Sequence, residues 1–347
     1  MKKLILSILF LTQLLSPNAY SFWAGFNQGW IQNYYGGQWV SKFDAAEFER
    51  VIRLAHEANA TRLRFWLFEG FNSEAIQMKN GRIQGLHPDF LPHLQKVLEL
   101  AKQKNIKLHL TLFDGNLARW KAPDQALKNH WWDLLNNKNG VRMDFVERVY
   151  LPLLSALHQS RYAATVEQID LVNEINVFTF RDSDIRFENR WTGANQFICE
   201  LKKIKTDTGL LPKTRITASL GWSKAIDYVL DGALRPECID SFVIHLYNFG
   251  GDISRCKELA SYAKKHGKQM ILGEFGQGQL SFSSDWLQKE STSNFLENAK
   301  LCGFDGAMAW RLSGEEGGEK FLFIRGTTVR PAYDVFRRTS RRLSRAL

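Results

Sequence analysis

The stretch DLVNEIN, residues 170–176, starts as a buried strand and ends as something else. Leu171 and Val172 continue an apolar run, yet the run closes on Asn173, Glu174 and Asn176, three polar groups where a core element would finish on apolar ones. A carboxylate taken out of water is costly unless it is paired or used. Comparable short runs, rich in β-branched or aromatic residues, recur at 22–27, 62–68, 107–113, 169–173, 215–221, 241–247, 270–275 and 306–310.

Between these runs lie AEFERVIRLAHEA, FLPHLQKVLELAKQK, DFVERVYLPLLSALHQ, NQFICELKKIKTD, CKELASYAKKH and NFLENAKLC, each with helical periodicity. Strands alternating with helices imply parallel pairing through right-handed crossovers. The pattern predicts an α/β chain folded as a single (β/α)8 TIM barrel, with loop insertions at the C-terminal face. An open doubly wound sheet is the alternative, but it usually carries a glycine-rich phosphate loop after its first strand, and GFNQGW (25–30) is not one. With 8 Pro among 347 residues and no Ser, Gly or Pro tract, no linker divides residues 22–347.

The first 21 residues read as a secretory signal peptide: Lys2 and Lys3, an apolar stretch from Leu4 to Leu15, then Ala19-Tyr20-Ser21 as a cleavage site. The apolar stretch is shorter than the ~20 residues of a spanning helix, and no later run is long enough either. A secreted protein, extracellular or periplasmic and without stable membrane insertion, is expected. Cys199, Cys238, Cys256 and Cys302 permit two bridges in an oxidising compartment, though buried thiols suit a domain of this size equally well.

The formal net charge is +10, but the basic residues are spread out except in RRTSRRLSRAL (337–347). That segment reads as the solvated face of a last amphipathic helix, so no nucleic-acid partner is expected. A monomer is the expected state.

In a parallel barrel the loops leaving the C-terminal strand ends form the open face. The polar and aromatic residues at those ends are Arg64 and Trp66, then Glu69, on the second strand, Asp114 on the third, and Asn173, Glu174 and Asn176 on the fourth. The sixth carries His245 and Tyr247, the seventh Glu274 and the eighth Trp310. Two glutamates at one mouth can divide into a proton donor and an ionised nucleophile, the chemistry of glycosidic-bond cleavage. Arg64 would hold one carboxylate ionised, and Tyr247 could donate a hydrogen bond to it. Taken singly, each residue has a plainer reading: a Glu capping a helix, an Arg in a core ion pair, a buried imidazole, a Trp packed in the core. Their joint occurrence at strand ends favours a site.

RFW, VNEIN, VIHLY, ILGEFG and MAW resemble, in that order along the chain, the strand-end signatures of clan A glycoside hydrolases, most of all glycoside hydrolase family 5, the cellulase and mannanase family. The resemblance covers residues 22–335. It implies Glu174 as acid/base, Glu274 as nucleophile, and Arg64 and Tyr247 as partners of Glu274. It further implies that Asn173 binds the sugar 2-hydroxyl, that His245 stands beside the acid/base, and that Trp310 lies under the cleaved sugar. Many members have a His near the end of the third strand, where this chain has LFDGN with Asp114. The implied activity is that of a cellulase-like or mannanase-like endo-β-glycanase acting on a glucan- or mannan-type substrate. It works by double displacement, without metal or organic cofactor, with carboxyl groups ~5–5.5 Å apart.

Consecutive strand residues point to opposite sides, so Asn173 and Glu174 can share the mouth only if the strand is irregular at 172–175. Trp66 and Trp310 are expected to contact sugar. Trp30, Tyr34, Tyr35, Trp39, Trp120 and Trp222 either extend the cleft or tie down loops. Two rivals remain, a non-catalytic carbohydrate-binding barrel and a metal-dependent barrel hydrolase. The latter wants several convergent His and Asp residues, and the strand ends offer chiefly His245 and Asp114.

Overall fold

The computed structural model describes residues 22–32, 37–71, 74–116, 125–179, 187–221, 224–247, 253–276, 285–314 and 322–345. Eight strands make one sheet: β1 Trp23–Asn27, β2 Arg62–Glu69, β3 Lys107–Asp114, β4 Val166–Asn173, β5 Arg215–Thr217, β6 Ser241–Leu246, β7 Gln269–Phe275 and β8 Gly306–Ala309. All neighbours pair in parallel, in the order β5-β4-β3-β2-β1-β8-β7-β6. The ends of that order meet through a parallel bridge from Leu220 to Ile244, with Leu220 N–H donating to Val243 O at 2.9 Å and His245 N–H to Leu220 O at 2.8 Å. The sheet therefore closes, and the open doubly wound alternative is ruled out.

Eight helices follow the strands: α1 Ala45–Glu57, α2 Phe90–Gln103, α3 over 141–159, α4 Phe187–Thr208, α5 Ala225–Leu230, α6 Ile253–Lys265, α7 Asp285–Cys302 and α8 Pro331–Arg345. Helix α3 widens to a π turn at Val146–Tyr150, just before Pro152, which lacks the N–H an α-helical ladder needs. Because helices cover the outside and side chains fill the lumen, the strands are buried on both faces and read as continuous apolar runs. Helix α8 is the expected amphipathic element. Its Phe336 stacks on Phe26 of β1 with ring centroids 4.0 Å apart, and its arginines point outward. The insertions also lie where expected, after strand C-termini: a hairpin of Ile76–Lys79 with Arg82–Leu86, a helix Gln125–Asn136, and short strands at Ser313–Gly314, Ile324–Arg325 and Thr328–Val329.

The four cysteines pair. Cys199–Cys238 ties α4 to the turn before β6, and Cys256–Cys302 ties α6 to the end of α7. Among the described residues no helix is long and apolar enough to cross a membrane. The leader expected at 1–21 lies outside them.

At the N-terminal end of the barrel, Glu167 of β4 collects three neighbours: Arg62 of β2 at 2.9 Å, Arg215 of β5 at 3.1 Å and His109 of β3 at 2.9 Å. Burial opposes the charge on Glu167, but the hydrogen bonds from His109 and Arg62 hold its carboxyl well below the usual range. Burial in turn pushes His109 down, so a neutral ring donates Nε2–H to the carboxylate. Replacement by Glu167→Gln is expected to remove about 1–3 kcal/mol of stability at neutral pH. A group depressed in the folded state stabilises above its unfolded value, so the gap between the two proteins in urea unfolding should shrink as pH falls below ~4.3.

Candidate active site

Strand β4 stops at Asn173. Glu174 takes a left-handed backbone, φ 50°, and Ile175–Thr179 forms a short helix. This is the irregularity expected at 172–175, and it turns both Asn173 and Glu174 into the mouth. The turn is held by Ser219, whose hydroxyl accepts the Glu174 N–H at 3.2 Å and whose carbonyl accepts the Ile175 N–H at 3.0 Å. Asn176 has a different job. It donates Nδ2–H to Gly221 O at 3.0 Å and accepts the Gly221 N–H at 2.8 Å, strapping the loop after β5 to the turn. Gly221 must be glycine for Glu174 to lie there, since a Cβ would fall 2.2 Å from Glu174 Oε1.

Arg64 of β2 occupies the centre of the lumen and is 1% exposed. One terminal nitrogen donates to Glu274 Oε1 at 2.6 Å and to Asn27 Oδ1 at 3.1 Å. The other donates to Asp170 at 2.6 Å, Asn173 Oδ1 at 2.7 Å and the Ser219 hydroxyl at 3.3 Å. Asn27 passes the linkage on, donating to Gly273 O at 2.9 Å and Ala309 O at 3.3 Å on β7 and β8. The second oxygen of Glu274 accepts the Tyr247 hydroxyl at 2.5 Å.

His245 bridges the two glutamates, with Nδ1 3.0 Å from Glu174 Oε1 and 3.5 Å from Glu274 Oε1. Its ring lies against Gly273, where a Cβ would approach within 3.1 Å. One oxygen of each glutamate and one nitrogen of His245 lie within 4.8 Å of one another. Three such atoms can in principle serve a cation, but the Arg64 guanidinium already supplies positive charge at Glu274. Burial pushes the Glu274 carboxyl up, against the pull of His245 and Arg64; Glu174 adds to the rise and the Tyr247 hydrogen bond opposes it.

Trp66 lies over the Arg64 guanidinium, 4.3 Å from ring centroid to Cζ, and meets Trp310 edge-on at 5.5 Å. Trp30 packs against both, and its indole N–H donates to Glu69 at 2.8 Å. Trp310 is 8% exposed and Trp66 3%, so more of Trp310 faces the mouth. Trp39 is a core residue, donating to Leu67 O at 3.0 Å and packed on Phe65 and Phe90. Tyr34, Tyr35, Trp120 and Trp222 lie outside the described residues.

All eight residues singled out from the sequence thus converge: Arg64, Trp66, Asn173, Glu174, His245, Tyr247, Glu274 and Trp310. Four further contributors were missed: Asn27, Asp170, Ser219 and Asn116, which donates to Glu174 Oε2 at 2.9 Å. The available signal was polarity inside apolar strands, as in IDLVN and RITASLG, and the Asn that ends β1.

No protein-family model and no curated protein matches the sequence significantly. Solved structures share its fold. GH5_18 from Streptomyces cattleya, in complex with GlcNAc, has a TM-score of 0.71 and 15% identity over 95% of this chain and 82% of that one. The β-mannanase of the blue mussel Mytilus edulis has a TM-score of 0.63 and 16% identity over 93% and 92%. An endo-1,4-β-mannanase from Eisenia fetida has a TM-score of 0.63 and 18% identity over 92% of each chain. At such identities the likeness is one of fold.

Removing the guanidinium takes their shared ion-pair partner from two buried carboxylates, Asp170 and Glu274. Arg64→Met should therefore cost about 3–5 kcal/mol in denaturant unfolding.

Proposed function

We propose that the chain is a secreted, retaining β-glycoside hydrolase of the family 5 type, cleaving a glucan- or mannan-type β-linked polysaccharide. The observation that carries this reading is the approach of one Glu174 oxygen to one Glu274 oxygen within 4.8 Å at the C-terminal mouth. Nearest oxygens that close favour a retaining pair, ~5–5.5 Å between carboxyl groups, over the ~6.5–9.5 Å that leaves room for an inverting water. The mannanases among the similar folds make β-mannan the first substrate to try.

The surroundings divide the roles. Glu274 accepts hydrogen bonds on both oxygens, from a permanent cation and from a phenol, and these stabilise an anion aimed at the anomeric carbon. Glu174 receives a neutral amide on one oxygen and meets His245 with the other. In the first step Glu274 forms a bond to the anomeric carbon, the glycosidic C–O bond breaks, and the proton of Glu174 passes to the departing oxygen. In the second step water attacks the same carbon, gives its proton to Glu174, and Glu274 leaves as carboxylate. Asn173, with its amide oxygen on Arg64 and one Nδ2 hydrogen on Asp114, turns its second Nδ2 hydrogen toward the sugar 2-hydroxyl, and Trp310 forms the platform beneath the ring.

Secretion is proposed from the leader at residues 1–21 and is supported by two disulfides, which persist in oxidising compartments. The N-terminus of the exported protein should begin near residue 22.

Incubation with β-mannan and β-glucan should release reducing ends whose anomeric proton is first β by NMR. Glu174→Gln should lower kcat about 10²–10⁴-fold, and Glu274→Gln should abolish turnover. Product formation by Glu274→Gln at the unmodified rate contradicts the proposal. The nucleophile must be ionised, so kcat/KM falls as pH drops through the Glu274 value, which burial sets above the ordinary glutamate range. Tyr247→Phe removes a hydrogen bond to the anion, so this acid limb should move to higher pH and the rate should fall about 10–100-fold.

A further inference from the structure

The segment Asp114-Gly115-Asn116 leaves β3 where the family resemblance leads one to look for a histidine, and it is bound both to itself and to the β4 turn. Asp114 Oδ1 accepts the Asn173 amide at 3.0 Å, the Asn116 backbone N–H at 3.0 Å and the Asn116 side-chain amide at 3.3 Å. The same Asn116 Nδ2 donates to Glu174 Oε2 at 2.9 Å. Between them, Gly115 is pressed against the turn itself: a Cβ would lie 2.6 Å from Glu174 O and 2.8 Å from Asn173 O. Backbone at that distance cannot yield, so the tripeptide is fitted to one turn geometry.

We propose that Asp114 and Asn116 are positioning residues for Glu174, orienting its carboxylate and setting the pH at which it passes between its acid and base forms. The inference rests on the hydrolase reading above for its catalytic meaning, but its contacts stand independently. Two opposing influences meet in the pair. The Asn116 amide favours the ionised carboxylate by hydrogen bonding to it, whereas the Asp114 carboxyl, as a neighbouring acid, favours the protonated form. Among the described residues Glu174 also faces His245 from β6 at 3.0 Å, Glu274 from β7 beyond the same imidazole, and Arg64 of β2 through Asn173 and Glu274. Asp114 reaches Arg64 and Glu274 through the Asn173 amide, whereas Asn116 bonds Glu174 directly. Burial pushes the Asp114 carboxyl up, with the Asn173 and Asn116 hydrogen bonds opposing and Glu174 adding to the rise. Asp114 also fixes which way the Asn173 amide faces, since one Nδ2 hydrogen goes to Asp114 and Oδ1 accepts from Arg64.

The test is titration of the Glu174 carboxyl by carbon-13 NMR on glutamate-labelled protein, the signal assigned by its loss in Glu174→Gln. Asp114→Asn should move the midpoint to lower pH and Asn116→Ala to higher pH, each by about half a pH unit or more. The high-pH limb of kcat/KM, where the acid loses its proton, should follow in the same two directions. Midpoints that stay put, or that move together in both variants, overturn the proposal. Should Asp114→Asn fail to fold by circular dichroism, Asn116→Ala, at a half-buried side chain, decides alone. A natural-sequence protein that releases no reducing ends defeats the hydrolase reading and leaves the titration to judge the positioning. Hydrolysis with an unmoved titration does the reverse.

Discussion

One guanidinium holds the mouth of this barrel together. Arg64 has five oxygen acceptors, contributed by Asn27, Asp170, Asn173, Ser219 and Glu274, and so joins β1, β4, the loop after β5 and β7 through a single side chain. A buried ion pair adds little net stability over a well-packed apolar core, because desolvation offsets most of the Coulombic gain. Its worth here is geometric. The planar fork fixes the direction of Glu274 and Asn173 at once, and Trp66, lying over the guanidinium, shuts it off from water. Asn27 extends the same constraint to the backbone of β7 and β8.

The two ends of the barrel use the same residue types to opposite effect. At the N-terminal end Glu167 meets Arg62, Arg215 and His109 and is held ionised far below its ordinary range. At the C-terminal end Glu274 meets Arg64, Tyr247 and His245, yet deeper burial and a second glutamate push it up. The first arrangement is a strut. The second sets burial and a neighbouring glutamate against a guanidinium, a phenol and an imidazole at one carboxyl group.

The repeat of apolar run and amphipathic stretch made the barrel legible, because parallel strands buried on both faces have no other way to pair without covering helices. Glu174 and Glu274 stood out for a related reason: each ends such a run abruptly. Asp170 and Ser219 did not, since one polar residue inside an apolar strand reads equally well as an isolated exception. Asn116 was hidden further, lying past a glycine whose necessity depends on how closely the β4 backbone passes. Trp30 and Trp39 share one loop sequence, and only three-dimensional packing sends the first to the mouth and the second to the core. The cysteines could be paired only once α6 and α7 were known to be neighbours.

The decisive measurement is covalent trapping. A 2-deoxy-2-fluoro β-mannoside or β-glucoside with a good leaving group should form a glycosyl-enzyme that accumulates, because the fluorine slows its release more than its formation. Mass spectrometry of the digested protein should then locate one added fluorosugar on the peptide carrying Glu274. A label on any other residue, or turnover of a matched unfluorinated glycoside without any covalent adduct from the fluorosugar, contradicts the account.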